Sequence, residues 1–133
     1  MVEAGDTRSF VMDTSAVLAL LHREPGAETV ARALDGSSIS AANLGEVLSK
    51  IASTGHDPAE TANALSALGL LFEPMTSEDA VRAGALFPAT RRYGLSLGDR
   101  ACLALALRLG LPVLASDRSL ARAETGVHVE LFR

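Results

Sequence analysis

The sequence is poor in cysteine and in long hydrophobic runs. Its one cysteine, Cys102, excludes an intrachain disulfide and stands in an apolar stretch, where we expect a small buried side chain rather than a reactive thiol. The longest uncharged stretch, residues 61–72, is shorter than the roughly 20 residues that span a bilayer. The amino terminus lacks the basic start and apolar run of a signal peptide. We therefore expect an intracellular, cytoplasmic protein that does not contact a membrane.

Lysine and several well-known chemical motifs are also scarce. Lys50 is the only lysine beside eleven arginines, and the net charge of −4 argues against a general nucleic-acid coat while allowing an enzyme with a local basic rim. The chain has no glycine-rich phosphate loop, no Gly-x-Ser-x-Gly elbow and no Cys/His zinc pattern. Its histidines are scattered, which indicates surface or packing roles for His22, His56 and His128.

The composition predicts one globular domain over residues 1–133, with 48% hydrophobic and 21% charged residues. Segments typical of strands alternate with segments typical of helices, which predicts an α/β fold. We expect a three-layer α/β/α sandwich with a central, mostly parallel sheet of about five strands. The predicted strands are residues 9–12, 37–40, 71–75, 113–115 and 127–131. The main predicted helices are residues 14–21, 27–34, 42–53, 58–70, 101–109 and 118–124, with a further helix after Thr76 that Pro88 splits.

Four acidic residues occur where the chain leaves a predicted strand or opens a predicted helix. They are Asp13, Glu46, Asp99 and Asp117. In a parallel α/β sheet the carboxyl ends of strands and the amino ends of helices meet at one edge, so these carboxylates are expected to converge there. Like charges brought together resist ionisation unless a cation lies among them, and carboxylate oxygens suit Mg²⁺ or Mn²⁺. The pattern therefore predicts a metal site.

Each acid also has a purely structural alternative. Asp13 and Asp117 precede helices and are suited to the N-cap, and Asp99 fits the last position of a capping box. Glu46 lies four residues before Lys50, which fits an ion pair on a helix surface. The occurrence of all four acids at one predicted edge favours the metal site.

Four segments carry a family resemblance: VMDTSAVLALL (11–21), SAANLGEV (40–47), GLSLGDRACLALA (94–106) and GLPVLASDR (110–118). On these segments the chain resembles the PIN-domain ribonucleases, and specifically the VapC-type toxins of bacterial toxin–antitoxin pairs. The order and spacing of the acids and the total length all fit. The resemblance implies a PIN-like fold.

The resemblance also implies an activity. The expected activity is hydrolysis of RNA phosphodiester bonds by a Mg²⁺-dependent endoribonuclease, the toxin of a type II toxin–antitoxin system. Mn²⁺ is an alternative cation. Under this hypothesis Asp13, Glu46, Asp99 and Asp117 form the catalytic and metal-binding site, and Asp13 and Asp99 are the surest ligands.

Partners are implied by the same resemblance. A homodimer is expected, together with a cognate antitoxin that covers the acidic groove. The helix after Pro58 offers apolar residues that either form a docking surface or pack in the core: Ala62, Leu65, Leu68 and Leu70.

Hydroxyl and arginine side chains beside the acids are expected to assist them. Ser15 is suited to bond a carboxylate or to cap the following helix, and Ser116 is a second candidate hydroxyl. The family often has threonine where this chain has Ala115, and Ser116 is expected on the opposite strand face. The candidate phosphate contacts, whose alternative is an ordinary solvated charge, are Arg91, Arg92, Arg100 and Arg118.

Two other functions remain open. A metal-dependent phosphatase or phosphoacceptor domain also places acids at strand ends. The phosphatase would need a second Asp two residues after Asp13, where Ser15 stands, and the phosphoacceptor domain would need a second acid beside Asp13 and a lysine after a late strand; both patterns are absent from the sequence. A non-catalytic PIN-like binding module is the second alternative. The presence of all four acids argues against it, whereas Ala115 leaves it open.

Overall fold

Five short strands form a single sheet in the computed structural model, which describes residues 8–133. The strands are β1 (Val11–Met12), β2 (Ser38–Ser40), β3 (Leu71–Glu73), β4 (Val113–Ala115) and β5 (Val129–Leu131). Their order across the sheet is β3-β2-β1-β4-β5, and every neighbouring pair is parallel. The predicted five-strand sheet is confirmed, and it is wholly parallel. The carboxyl ends of all strands therefore meet at one edge.

Helices connect the strands. They are α1 (Thr14–Leu21), α2 (Ala27–Leu34), α3 (Ala41–Ser53), α4 (Pro58–Ala67), α5 (Ser77–Ala85), α6 (Phe87–Thr90), α7 (Leu97–Leu109) and α8 (Arg118–Arg122), with a 3₁₀ turn at Arg91–Tyr93. As predicted, the helix before Pro88 ends, and this proline lies in the first turn of α6, where its missing N–H costs nothing. Among residues 8–133, none of the helices combines the length and apolar character needed to cross a membrane.

Successive strand residues point to opposite faces of the sheet and pack in two separate cores. Met12 and Leu114 pack on the face covered by α1, α2 and α3. Val11 and Val113 pack on the opposite face with side chains of α7 and α8. Both faces of the sheet are thus covered, which confirms the three-layer α/β/α sandwich.

Helix α7 is enclosed by the rest of the domain. Residues 101–106 are at most 1% exposed, as the apolar sequence on nearly every face predicted. The helix starts at the predicted capping box of Ser96 and Asp99 and ends at Gly110, whose φ of 67° is readily adopted by glycine. Because α7 is fixed along its length, the side chains of its first turn have a defined place at the sheet edge.

An ion pair ties α7 to α5. Asp79 is 1% exposed and accepts hydrogen bonds from Arg108 Nε at 3.0 Å and Arg108 Nη2 at 3.1 Å. Asp79 also closes the capping box of α5 with Thr76. Burial opposes ionisation of Asp79, but the hydrogen bonds and charge of Arg108 and the bonds from Thr76 hold the pKa of Asp79 below its usual range.

Helix α4 is shorter than predicted. It ends at Ala67 because Gly69, with φ of 96°, turns the chain into β3. Leu65 and Leu70 are buried in the core at 1% and 2% exposure, so of the two predicted alternatives these residues take core packing and not the docking surface. Of the proposed docking residues, Leu68 is 56% exposed.

Candidate active site

Three of the four predicted acids lie where a strand ends or a helix begins. Asp13 follows β1 and caps α1, Asp117 follows β4 and caps α8, and Asp99 lies in the first turn of α7. Glu46 is one turn further into α3, the helix that follows β2. The structural alternatives predicted for Asp13, Asp99 and Asp117 are therefore present as well. We call these four residues the acidic edge.

Asp13 is the buried member of the acidic edge, with 6% of its surface exposed. Its Oδ1 accepts hydrogen bonds from the Ala16 N–H at 2.8 Å and from Ser15 Oγ at 2.7 Å. Burial is the main cause that raises the pKa of Asp13 to about 6, against the lowering effect of these hydrogen bonds, and the negative charges of Asp99 and Asp117 raise it further. Three acids that are far apart in sequence therefore act on one another at this edge.

Cys102 lies beneath the acidic edge. Burial raises the pKa of its thiol well above the usual value, and the charges of Asp13, Asp99 and Glu46 add to the effect. Glu46 thus belongs to the same electrostatic cluster as Asp13 and Asp99. The thiol is fully buried and stays protonated, which agrees with the predicted packing role.

Glu46 is held by neighbours from three helices. Its Oε1 accepts hydrogen bonds from Thr14 Oγ1 at 2.8 Å and from Asn43 Nδ2 at 3.1 Å. A Cβ atom at Gly98 would lie 2.6 Å from Glu46 Oε1, so the carboxylate rests directly on the first turn of α7. The structure contains no ion pair between Glu46 and Lys50 among the described residues.

The two predicted hydroxyls form a chain that leads to Asp13. Ser116 Oγ lies 3.2 Å from Ser15 Oγ, and Ser15 donates to both Asp13 oxygens, at 2.7 and 2.9 Å. Ala115 packs in the core on the α7 side, whereas Ser116 is the first residue after β4 and hydrogen-bonds Ser15 of α1. The turn after β4 thus contributes a hydroxyl to the site, although Ala115 has none.

The candidate arginines differ in their surroundings. Arg91 and Arg118 are exposed, as is Arg92, which stacks 4.9 Å from the centre of the Tyr93 ring. Arg100 Nη1 instead donates to the Ala83 carbonyl oxygen at 2.9 Å. The guanidinium of Arg100 is therefore bound to α5 through Nη1.

The acidic edge carries the carboxylate oxygens that hard cations prefer, but these oxygens are not already arranged around a single position. Among residues 8–133, no group of three or more His, Cys, Asp or Glu side chains is arranged to hold a metal ion. Asp99 uses Oδ2 to accept from Ser96 N–H at 2.8 Å, and Asp117 uses Oδ1 to accept from Ser119 N–H at 2.8 Å. A carboxylate has about four lone-pair positions, so the capping bonds leave each acid with capacity for a cation. The donor set fits Mg²⁺ or Mn²⁺.

Sequence reasoning did not identify three residues that place Glu46: Thr14, Asn43 and Gly98. A partial signal is present, because Asn43 precedes Glu46 by three residues and so shares its helix face. Thr14 and Gly98 are only identifiable once the packing of α1, α3 and α7 is known.

Carboxylates gathered at the carboxyl edge of a covered parallel sheet define an α/β protein with an acidic edge site. The model of the family described as PIN domain matches residues 10–125. The chain belongs to the PIN domain family.

Solved structures share this fold. A chain in a toxin–antitoxin complex from Klebsiella pneumoniae superposes with a TM-score of 0.77 at 23% identity, covering 94% of this chain and 98% of that chain. A chain of DNA-bound VapBC from Salmonella typhimurium superposes with a TM-score of 0.71 at 17% identity, covering 96% of this chain and 100% of that chain. VapC20 of Mycobacterium tuberculosis, a sarcin–ricin loop cleaving toxin, superposes with a TM-score of 0.67 at 20% identity, covering 88% of this chain and 98% of that chain. No curated protein matches the chain in sequence.

Proposed function

We propose that the protein is a Mg²⁺-dependent endoribonuclease toxin of a type II toxin–antitoxin pair, and that it hydrolyses RNA phosphodiester bonds at the acidic edge. The observation that carries this proposal is the buried carboxylate of Asp13, whose pKa of about 6 reflects burial and the charges of Asp99 and Asp117. A cation at this edge would relieve the repulsion and allow Asp13 to ionise at neutral pH. Membership of the PIN domain family and likeness to toxin chains support the same function.

Each residue of the site has a role in this proposal. Asp13 and Asp99 would hold the cation, with Glu46 and Asp117 completing the acidic set. Mn²⁺ is an alternative to Mg²⁺. When bound, such an ion polarises a phosphodiester and lowers the pKa of a bound water. Ser15 orients Asp13 through its two hydrogen bonds, and Ser116 supports Ser15.

The distribution of charge supports RNA binding on one flank of the site. Residues 80–122 carry two acids and seven arginines, of which Arg100 and Arg108 have partners within the fold, whereas residues 35–79 carry one lysine and seven acids. The RNA backbone is therefore expected to run over the first of these regions, which includes the 3₁₀ turn and α8. Arg118 follows Asp117 directly, and Arg91 and Arg92 lie on the 3₁₀ turn, which packs against α8. Single-stranded loops are the expected targets because their unstacked bases are accessible.

Partners and location follow from the same proposal. The similar structures include toxin–antitoxin complexes, which supports a cognate antitoxin that covers the acidic edge with a basic side chain. We propose a homodimer in the cytoplasm. The exposed Leu68 remains available for a protein contact.

A non-catalytic PIN-like binding module is the second candidate function. The observation that favours it is the absence of a preassembled group of three metal-binding side chains among residues 8–133. Under this alternative Asp13, Asp99 and Asp117 serve as helix caps, and neither metal nor substitution of an acid would change RNA integrity. A metal-dependent phosphatase would instead hydrolyse a generic phosphomonoester.

The Asp99→Asn variant tests the proposed function. An asparagine oxygen can still accept the Ser96 N–H bond, so we expect a change in unfolding free energy within about 1 kcal/mol, together with loss of Mg²⁺-dependent RNA cleavage. Asp57→Asn is the matched control, because Asp57 is the exposed N-cap of α4 and accepts the Ala59 N–H at 2.9 Å. Full cleavage by a folded Asp99→Asn protein would reject the proposal in favour of a capping role.

The Gly98→Ala variant tests the place of Glu46 in the site. The added Cβ would lie 2.6 Å from Glu46 Oε1, so the flexible carboxylate must move away. Alanine favours the helix by about 0.5–1 kcal/mol, and stability is therefore expected to be unchanged or slightly higher while RNA cleavage falls. Gly84→Ala is the control, since a Cβ there meets nothing within 4 Å. Wild-type cleavage by Gly98→Ala would show that Glu46 need not occupy this position.

A further inference from the structure

Asn43 is a buried amide in the first turn of α3, one turn before Glu46. Its exposed fraction is 2%, whereas Glu46 is exposed. Burial of a primary amide costs free energy unless its polar atoms find partners. The partners of Asn43 therefore indicate why this position is not apolar.

The donor side of the amide joins three helices. Asn43 Nδ2 donates to the Gly98 carbonyl oxygen of α7 at 2.9 Å and to Glu46 Oε1 at 3.1 Å. It also lies 3.4 Å from Thr14 Oγ1 of α1, which donates to the same Glu46 oxygen. A reversed amide would place its oxygen against two acceptors, so the network fixes the orientation.

The acceptor side of the amide has no partner among the residues that the structure describes. Asn43 Oδ1 is buried and accepts no hydrogen bond from residues 8–133. An acceptor without a protein partner adds no stabilising contact to the fold. The contribution of Asn43 therefore lies in its donor contacts.

These donor contacts restrict the Glu46 carboxylate. Oε1 is held by Thr14 and Asn43, and the carboxylate rests on Gly98 at the amino end of α7, where the helix dipole favours a negative charge. Oε2 accepts no hydrogen bond from the described part of the chain. One oxygen of Glu46 is therefore fixed while the other is available.

We propose that Asn43 is a positioning residue, which with Thr14 holds Glu46 beside the first turn of α7 so that its carboxylate is available to a divalent cation at the acidic edge. This inference rests on the proposed function, because it requires the acidic edge to bind the cation. An exposed glutamate without these donors samples many rotamers, and ordering it on binding then costs conformational entropy. Residues that orient a metal ligand typically change metal affinity about 10–100-fold when they are replaced.

Mn²⁺ titration of the purified protein, followed by electron paramagnetic resonance, tests the inference without relying on activity. Asn43→Leu keeps the side-chain size and removes the donor, and we expect Mn²⁺ affinity to fall about 10-fold. Glu46→Gln is expected to weaken Mn²⁺ binding at least as much. The double variant Asn43→Leu/Glu46→Gln should bind no more weakly than Glu46→Gln alone, because both changes remove one interaction. Asn63→Leu is the matched control, since Asn63 is exposed on α4.

The possible results distinguish failure of the positioning role of Asn43 from failure of the proposed function. Wild-type Mn²⁺ affinity in a folded Asn43→Leu protein, beside weakened binding in Glu46→Gln, overturns the positioning role and leaves the proposed function intact. Failure of Mn²⁺ to bind the wild type overturns both. If Asn43→Leu does not fold, Thr14→Val removes the other donor to Glu46 Oε1 without changing the side-chain shape. Weakened Mn²⁺ binding by Thr14→Val is then the expected result, and unchanged affinity overturns the inference.

Discussion

The Asp13→Asn variant is expected to lose RNA cleavage by at least about 100-fold while its metal-free form gains stability at neutral pH. The loss follows because Asp13 would hold the cation in the proposed site. The gain follows because Asp13 is a buried carboxylate whose ionisation is opposed by burial and by the charges of Asp99 and Asp117. Asparagine caps a helix about as well as aspartate and carries no charge.

The gain in stability of Asp13→Asn depends on pH and is expected at neutral rather than acidic pH. The folded-state pKa of Asp13 is about 6, above the usual value of 3.8, so the folded protein holds this proton more tightly than the unfolded chain. The resulting stabilisation is complete below about pH 4 and is lost as the pH rises through about 6. The difference between the two pKa values corresponds to about 3 kcal/mol, which is an upper bound for the gain in Asp13→Asn at pH 7.

Thermal unfolding of wild type and Asp13→Asn in chelator, from about pH 4 to pH 7.5, measures this effect. The two curves should meet at low pH, diverge between about pH 4 and pH 6, and keep a nearly constant separation above about pH 6, with the variant higher. Added Mg²⁺ should raise the midpoint of the wild type and leave that of the variant unchanged. Asp57→Asn, at an exposed cap, is the control. An Asp13→Asn protein that is less stable than wild type at pH 7 would show that Asp13 is mainly a structural cap.

The Asp79→Ala variant is expected to show the largest loss of stability. It removes the cap of α5 and leaves the Arg108 guanidinium without its buried partner. Breaking a buried pair costs about 3–5 kcal/mol, and the partial exposure of Arg108 places the expected loss near the lower end. The thermal midpoint should fall by roughly 10 °C.

Asp57→Ala provides the comparison for Asp79→Ala, because it removes an aspartate N-cap that has no ion pair. Its expected cost is about 1 kcal/mol, and denaturant unfolding of both variants measures the difference. Because the pKa of Asp79 is lowered in the folded state, its contribution is present above about pH 4 and is lost as the pH falls further. Equal losses in the two variants would mean that the Asp79–Arg108 pair adds nothing to the cap.

Local patterns predicted much of the fold. The change from short apolar strand to helix at Asp13 and at Asp117, together with the apolar run of α7, predicted the layers and the burial of Cys102. The strand order β3-β2-β1-β4-β5 was not predicted, because it depends on packing between distant segments. Leu65 and Leu70 suit a docking surface and a core equally well by their apolar character, and only the packing of α4 places them in the core.

The candidate site was predicted in part. The acids were identifiable because Asp13, Asp99 and Asp117 stand at a strand end or helix opening and Glu46 follows β2 closely, at the edge where the parallel topology brings residues together. The support of Glu46 by Thr14 and Gly98 depends on how α1, α3 and α7 pack, which no local spacing reveals. The direction of the Arg100 side chain was equally inaccessible, since it is set by a carbonyl oxygen of α5.

The most direct test of the central claim is cleavage of total cellular RNA by the purified protein in Mg²⁺, in chelator, and with Asp13→Asn in place of wild type. The acidic edge, acting as a cation-dependent nuclease site, predicts discrete fragments that appear only with wild type and Mg²⁺. Equal cleavage by wild type and Asp13→Asn, or intact RNA in every sample, would contradict it.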